Sequence, residues 1–186
     1  GFLLLALVSS KLVSVKQDII LDELYELSFT ERINRLLSSL LVFRQNLDRL
    51  ITKIEDKTIR QREINNMSIY ISSFEDTLNE TLTLVTRPDS HHFIKNIDGV
   101  NTELIFTSIL HSLEKILELL TQLDANHFEW KNPLTIDAIK RSLAVTNGLF
   151  TSLTYSKNII AQTSSDITSR NNDLTTQLAS LLANTR

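Results

Sequence analysis

The chain has 186 residues, of which 42% are hydrophobic and 22% are charged, and its formal net charge is -3 at pH 7. This balance excludes a disordered chain, and Lys and Arg scattered among acids predict no nucleic-acid partner. The length predicts a single domain over residues 1–186. Cysteine is absent, which excludes disulfides, thiolate metal sites and cysteine nucleophiles.

Residues that form turns are scarce. The chain has three glycines and two prolines, and neither type occurs between Phe2 and Arg87. A β-rich fold needs frequent tight turns, so this scarcity predicts an all-α protein.

Residues 1–8 form an apolar run that ends at Ser9, Ser10 and Lys11. A membrane-spanning helix needs about 20 apolar residues, so this run is too short to span a bilayer by itself. The run is apolar on all sides, whereas the apolar residues after Lys11 fall on one helical face. We interpret residues 1–10 as the end of a transmembrane helix or as a signal segment. The alternative is the ordinary buried start of a helix.

Four segments carry apolar residues at heptad spacing, which predicts four helices with one buried apolar stripe each. The stripes comprise Ile33, Leu36, Leu40, Phe43, Leu47, Leu50 and Ile54; Ile64, Met67, Ile71, Phe74, Leu78, Leu82 and Val85; Phe106, Ile109, Leu113, Ile116, Leu120 and Leu123; and, in the last segment, Ile136, Ile139, Leu143, Phe150, Leu153, Ile160, Ile167, Leu174, Leu178 and Leu181. Connections are predicted at residues 55–62, 87–101 and 124–132.

Helix boundaries have local signals. Ser28 and Glu31 match the S-x-x-E capping box, which predicts a break or a register shift in the first helix. Thr102 is a candidate N-cap of the third helix. Pro133 fits the first turn of the last helix, where its missing N–H costs nothing.

The predicted helix lengths are unequal, at roughly 50 residues for the first and last and roughly 25 to 30 for the second and third, so the short helices cover about half of the long ones. This mismatch predicts an up-down-up-down four-helix bundle head with a two-helix membrane-proximal stalk formed by the long first and last helices.

Three polar residues, Lys157, Ser164 and Asn171, interrupt the apolar stripe of the predicted last helix. Our hypothesis is that they form a polar layer in the stalk, packed against a second copy in a parallel dimer. Such residues lower stability and restrict register, which would leave the stalk loose enough to shift. The alternative is a stalk surface that is simply hydrated.

No motif for catalysis or cofactor binding is present. The chain lacks G-x-S-x-G, H-E-x-x-H and a glycine-rich phosphate loop, so we expect neither enzyme activity nor a cofactor in this segment. His91 and His92, beside Asp89, are the one cluster that resembles metal ligands. Adjacent histidines in one loop lack the spacing of a recognised site, so no metal is predicted.

Two features at the end of the bundle are candidates for binding. Phe128 and Trp130 lie in a short connection, which suggests a docking surface for a protein partner; the alternative is that they close the end of the core. A group of basic residues near the same end suggests either a solvated helix end or an anion site: Lys53, Lys57, Arg60, Arg62, Lys140 and Arg141.

The layout resembles the extracytoplasmic sensor domains of bacterial transmembrane receptors, both histidine kinases and chemoreceptors. The resemblance rests on the apolar residues 1–8 leading into a long helix, the helical bundle, and a last segment rich in Ser, Thr and Asn at residues 163–186. The arginine and proline box of nitrate sensors is absent, so no ligand residue is carried over.

The resemblance implies a domain in the periplasm or extracellular space, held at the bacterial inner membrane by flanking segments, most often as a homodimer. Its stimulus would be a small molecule or a periplasmic binding protein, and helix displacement would control a cytoplasmic output, here that of a two-component histidine kinase. The alternative is a secreted or cytosolic helical-bundle interaction module or a helical toxin.

Overall fold

The computed structural model describes residues 2–86, 99–153 and 161–183. These residues form six helices and contain no strand, so the prediction of an all-α protein is confirmed. The helices are α1 (Phe2–Glu55), α2 (Gln61–Asn65), α3 (Met67–Thr86), α4 (Gly99–Ala125), α5 (Pro133–Leu153) and α6 (Ala161–Ala183).

The chain divides into two compact units, Gly1–Arg35 and Leu36–Arg186, and the boundary falls inside α1. Helix α1 is continuous through Ser28. Of the two alternatives predicted there, a break or a register shift, the break is therefore wrong. Ser28 and Glu31 are both exposed, and an exposed helical position accepts either residue at small cost. In this first unit, Val15, Ile19 and Leu27 are at least half exposed.

Some of the other helix boundaries follow the sequence. Helix α1 ends at Glu55, in the predicted connection, and α5 begins at Pro133, as predicted. Helix α4 begins at Gly99, so Thr102 lies inside the helix rather than at its N-cap. The side chain of Thr102 is buried.

The predicted apolar stripes form the core of the unit Leu36–Arg186. Each stripe contributes side chains that are at most 2% exposed: Leu36, Leu40 and Leu47 from α1, Met67, Ile71, Phe74 and Leu78 from α3, Phe106, Ile109, Leu113 and Leu120 from α4, and Ile139 and Phe150 from α5. Fully burying one such side chain stabilises a protein by about 1.5 to 3 kcal/mol. Two aromatic contacts link the helices, with Phe43 stacked on Phe74 and Phe106 edge-on to Phe150.

Two polar contacts show the relative direction of α1 and α4. The guanidinium Nη1 of Arg44 donates to the carbonyl and hydroxyl oxygens of Ser108, at 2.9 and 2.7 Å. The ammonium of Lys115 lies 2.8 Å from a carboxylate oxygen of Asp48. Residue numbers rise together along both helices, so α1 and α4 run in the same direction.

Helix α5 packs against α3. The Nε of Arg141 lies 3.0 Å from both carboxylate oxygens of Glu75, and α3 and α5 make the most extensive of the described helix–helix contacts. The connection after α4 is short, so α5 returns antiparallel to α4 and brings Phe150 against Phe106.

Helix α6 folds back along α5 and α4 instead of continuing α5. The amide Nδ2 of Asn171 lies 3.5 Å from Oδ1 of Asn147, whereas the same residues in one straight helix would be about 36 Å apart at 1.5 Å per residue. Arg170 also forms an ion pair with Glu114 of α4. Helix α6 is therefore packed beside α5 and α4 and does not extend α5.

This packing contradicts the prediction of one long last helix, and with it the two-helix stalk that this helix would help to form. The physical reason lies in the apolar stripe of α6. Ile167, Leu174 and Leu178 are buried within the unit, and this burial is available to α6 only where it packs on other helices.

Two helices end in the same unusual backbone conformation. Lys57 and His127 have φ angles of 56° and 58°. In each case the amide of the next residue bonds back to the carbonyl five residues before it, Thr58 to Lys53 and Phe128 to Leu123, both at 2.9 Å. This is the Schellman motif, whose left-handed position favours glycine.

We expect Lys57→Gly and His127→Gly each to raise the free energy of unfolding by about 0.5 to 1 kcal/mol, because glycine removes the steric cost of the left-handed conformation. Urea denaturation measures the change. Lys57→Ala and His127→Ala are the matched controls, since alanine keeps that cost. Glycine variants no more stable than the alanine variants would contradict the assignment.

Candidate functional site

Two connections meet at one end of the unit Leu36–Arg186. We call this end the tip and define it as residues 56–66 and 124–132. The side-chain amide Nε2 of Gln61 donates to the backbone carbonyl of Glu129 at 2.6 Å. Residues from both connections, including Gln61, Asn65, His127 and Phe128, line an open depression at the tip.

Trp130 is buried, with 1% of its surface exposed. Its indole Nε1–H donates to Oδ1 of Asp124 at 2.7 Å, which satisfies the one polar group of the ring. The ammonium of Lys131 lies 5.2 Å from the ring centroid. Its burial favours the interpretation that Trp130 closes the end of the core over the one in which it forms a docking surface.

Phe128 remains partly accessible. It follows His127 in the Schellman motif, so the backbone of this turn positions it beside the depression. Phe128 is thus the aromatic residue of the tip that a partner could reach, and its role in docking stays a prediction.

The basic residues near the tip do not form one uncompensated cluster. Lys53 forms an ion pair with Glu63, and the hydrogen bond from Lys53, with a second from the backbone N–H of Arg60, lowers the pKa of the Glu63 carboxyl. Arg141 forms an ion pair with Glu75, in which its Nε–H is shared between the two carboxylate oxygens. Two of the six cations are therefore paired with acids, which favours a solvated helix end over an anion site.

Sequence reasoning missed the polar contacts between α1 and α4. Arg44 is half-buried, and its desolvation lowers the pKa of the guanidinium while Asp48 opposes that effect. Hydrogen bonds to Asp48 and Glu118 raise the pKa of Lys115. The residues of the two contacts between α1 and α4 each lie next to a residue of an apolar stripe, so the heptad pattern does not single them out. They meet only because α1 and α4 pack side by side.

The three residues of the predicted polar layer have different outcomes. Lys157 lies outside the described residues. Ser164 is half-buried, and Asn171 is 1% exposed. Asn171 lies in the interface between α5 and α6, not in a stalk, and its Oδ1 accepts no hydrogen bond from the described part of the chain.

Among the described residues, no group of three His, Asp or Glu side chains could hold a metal ion. His91 and His92 fall outside that part of the chain. Within residues 2–86, 99–153 and 161–183, no helix combines the length and apolarity that crossing a bilayer requires.

Comparison with known proteins yields no relative, since no family model, curated protein or solved structure matches the chain.

We expect Trp130→Ala to lower the free energy of unfolding by about 3 to 5 kcal/mol, as large-to-small substitutions of fully buried aromatic residues do. Phe128→Ala, at a partly exposed position of the same connection, is the matched control and should cost about 1 kcal/mol. Chemical denaturation of both variants measures the difference. Equal small losses would show that Trp130 does not close the core.

We expect Asn171→Leu to raise the free energy of unfolding by about 1 kcal/mol or more, because it replaces a buried amide that is incompletely hydrogen-bonded with an apolar side chain of similar size. Asn172→Leu, at the exposed neighbouring position, is the control and should give no gain. A loss of stability in Asn171→Leu would mean that the contact with Asn147 contributes more than apolar burial at this site.

Proposed function

We propose that this chain is the extracytoplasmic sensor domain of a bacterial transmembrane receptor, most consistent with a two-component histidine kinase. One observation carries the proposal. Helix α1 begins in the apolar run at residues 2–8 and continues without a break to Glu55, so the segment assigned to the membrane and the core of the bundle share one helix.

In this proposal α1 transmits the signal, because its apolar start is the segment assigned to the membrane and the same helix enters the bundle. Helices α1, α3, α4 and α5 form an up-down-up-down four-helix head. The contacts of Arg44 with Ser108 and of Asp48 with Lys115 couple α1 to α4. A stimulus that shifts α4 would therefore displace α1 by a small amount, which is the scale on which packed helices switch.

The stimulus would act at the tip, as a small molecule or a periplasmic binding protein. The depression beside Phe128 offers polar groups from Gln61 and Asn65 next to an aromatic side chain, a combination typical of binding surfaces. The receptor would lie in the bacterial inner membrane, with this domain in the periplasm and with a second copy as its partner.

The location can be tested with one engineered thiol, because the chain has no cysteine of its own. We expect His127→Cys, in the full-length protein in living bacteria, to react with a membrane-impermeant maleimide, since His127 is exposed at the tip. The same variant without residues 1–10 is the control and should react only after lysis. Protection of the full-length variant in intact cells would contradict the proposal.

The return of α6 favours a second candidate, a secreted or cytosolic helical-bundle interaction module or a helical toxin. A sensor between two membrane spans needs its last helix to approach the membrane, whereas α6 is paired with α5 through Asn171 and with α4 through Arg170. Recovery of the full-length protein in the soluble fraction would support this candidate.

A further inference from the structure

Arg44 lies in the interface between α1 and α4 without a bonded acid. Its side chain is half-buried, and among the described residues it bonds only to Ser108, through Nη1. Asp48, one turn further along α1, is bonded to Lys115 and acts on Arg44 only through its charge. Burying a cation is costly unless it is paired. The N–H groups at Nε and Nη2 of Arg44 are therefore donors suited to an anionic partner.

Exposed apolar side chains lie beside Arg44 on the same interface. Leu41 is three residues before Arg44 in α1, and Leu104 is four residues before Ser108 in α4. Residues three or four apart share a helical face, and α1 and α4 run in the same direction. Both leucines therefore lie about one turn from the contact of Arg44 with Ser108. Leu41 is 48% exposed and Leu104 is 50% exposed.

The apolar surface extends one turn further, to Leu37 of α1. Leu37 is seven residues before Arg44, on the same helical face, and its side chain is half-buried. We call Leu37, Leu41, Arg44 and Leu104 the seam. The seam measures roughly 10 Å along α1 at about 1.5 Å per residue. An extended chain of about eight carbons, with bonds of about 1.5 Å, has a similar length.

We propose that the seam binds an amphiphilic carboxylate, a molecule with one anionic head and one unbranched alkyl chain. The head accepts hydrogen bonds from Nε and Nη2 of Arg44, whose parallel N–H groups match the two oxygens of a carboxylate. The alkyl chain covers Leu37, Leu41 and Leu104 and removes their exposed surface from water. Three apolar side chains are too few for a protein interface, which buries about 800 Å² on each partner, but they suffice for one alkyl chain.

The bound head also offsets the desolvation of Arg44. Burial lowers the pKa of this guanidinium, and the charge of Asp48 opposes the effect. An anion in direct contact with the guanidinium stabilises its charged form further. The site is independent of the sensor proposal, because it uses only the interface between α1 and α4 and does not involve the tip.

Isothermal titration calorimetry of the full chain with decanoate, kept below its micelle concentration, tests the site. We expect one site per chain, with a Kd on the order of 1 mM or below, as for other small ligands. Octanoate should bind about fourfold more weakly, which is half of the free-energy loss expected for two fully buried methylenes. Decyltrimethylammonium has the same alkyl chain and a cationic head, so it should not bind measurably.

Two pairs of variants separate the head from the tail. Arg44→Gln should weaken decanoate binding at least about tenfold, as loss of hydrogen bonds to a charged group does. Arg49→Gln, at an exposed position of α1 outside the seam, is its matched control and should bind like the wild type. Leu41→Ser should weaken binding about threefold, because it removes apolar surface from the strip. Val42→Ser, at a neighbouring position that is 54% exposed and faces away from the seam, should have no effect.

Arg44→Gln also loses a bond to Ser108, so its folding is checked by thermal denaturation. If this variant does not fold, the comparison of Leu41→Ser with Val42→Ser decides, because both positions are exposed. Equal binding of decanoate and decyltrimethylammonium would overturn the proposal, as would decanoate binding that neither Arg44→Gln nor Leu41→Ser weakens. The absence of saturable binding up to about 10 mM decanoate, tenfold above the expected Kd, would overturn it as well.

Discussion

The apolar stripe of α1 between residues 36 and 54 is the constraint on which the bundle depends. Helices α3 and α4 both contact α1, through Phe43 stacked on Phe74 and through Arg44 bonded to Ser108. A helix can bury a stripe of this kind only against partners of similar apolarity. The partners are the other helices of the chain, whose own apolar stripes must also be removed from water. Burial of the stripe of one helix therefore requires burial of the stripes of the others.

Polar contacts order the tip, because outside the short helix α2 its backbone N–H and C=O groups need partners other than helical hydrogen bonds. Two Schellman motifs, at Lys57 and His127, provide hydrogen bonds to carbonyl groups in the last turns of α1 and α4. The bond from Trp130 to Asp124 lets a large aromatic ring be buried without an orphaned N–H. These contacts leave Phe128 as the aromatic residue that solvent and any partner can reach, which is why the tip is the best-defined candidate for recognition.

Helix α6 differs from the other long helices in how it is held. Its stripe contains Asn171, whose amide makes one long hydrogen bond and leaves Oδ1 without a partner among the described residues. Three apolar side chains, Ile167, Leu174 and Leu178, offset that cost.

The sequence by itself determined the helical class, the buried face of each helix and the place of most connections, because heptad spacing and the scarcity of glycine and proline act locally. It also identified Phe128, Trp130 and Asn171 as unusual positions. It could not determine that Trp130 is buried, since periodicity says nothing about side chains in a connection. Nor could it determine the direction of α6. The apolar stripe of α6 specifies which side of that helix must be buried. Only the tertiary structure shows that α4 and α5 are the helices that bury it.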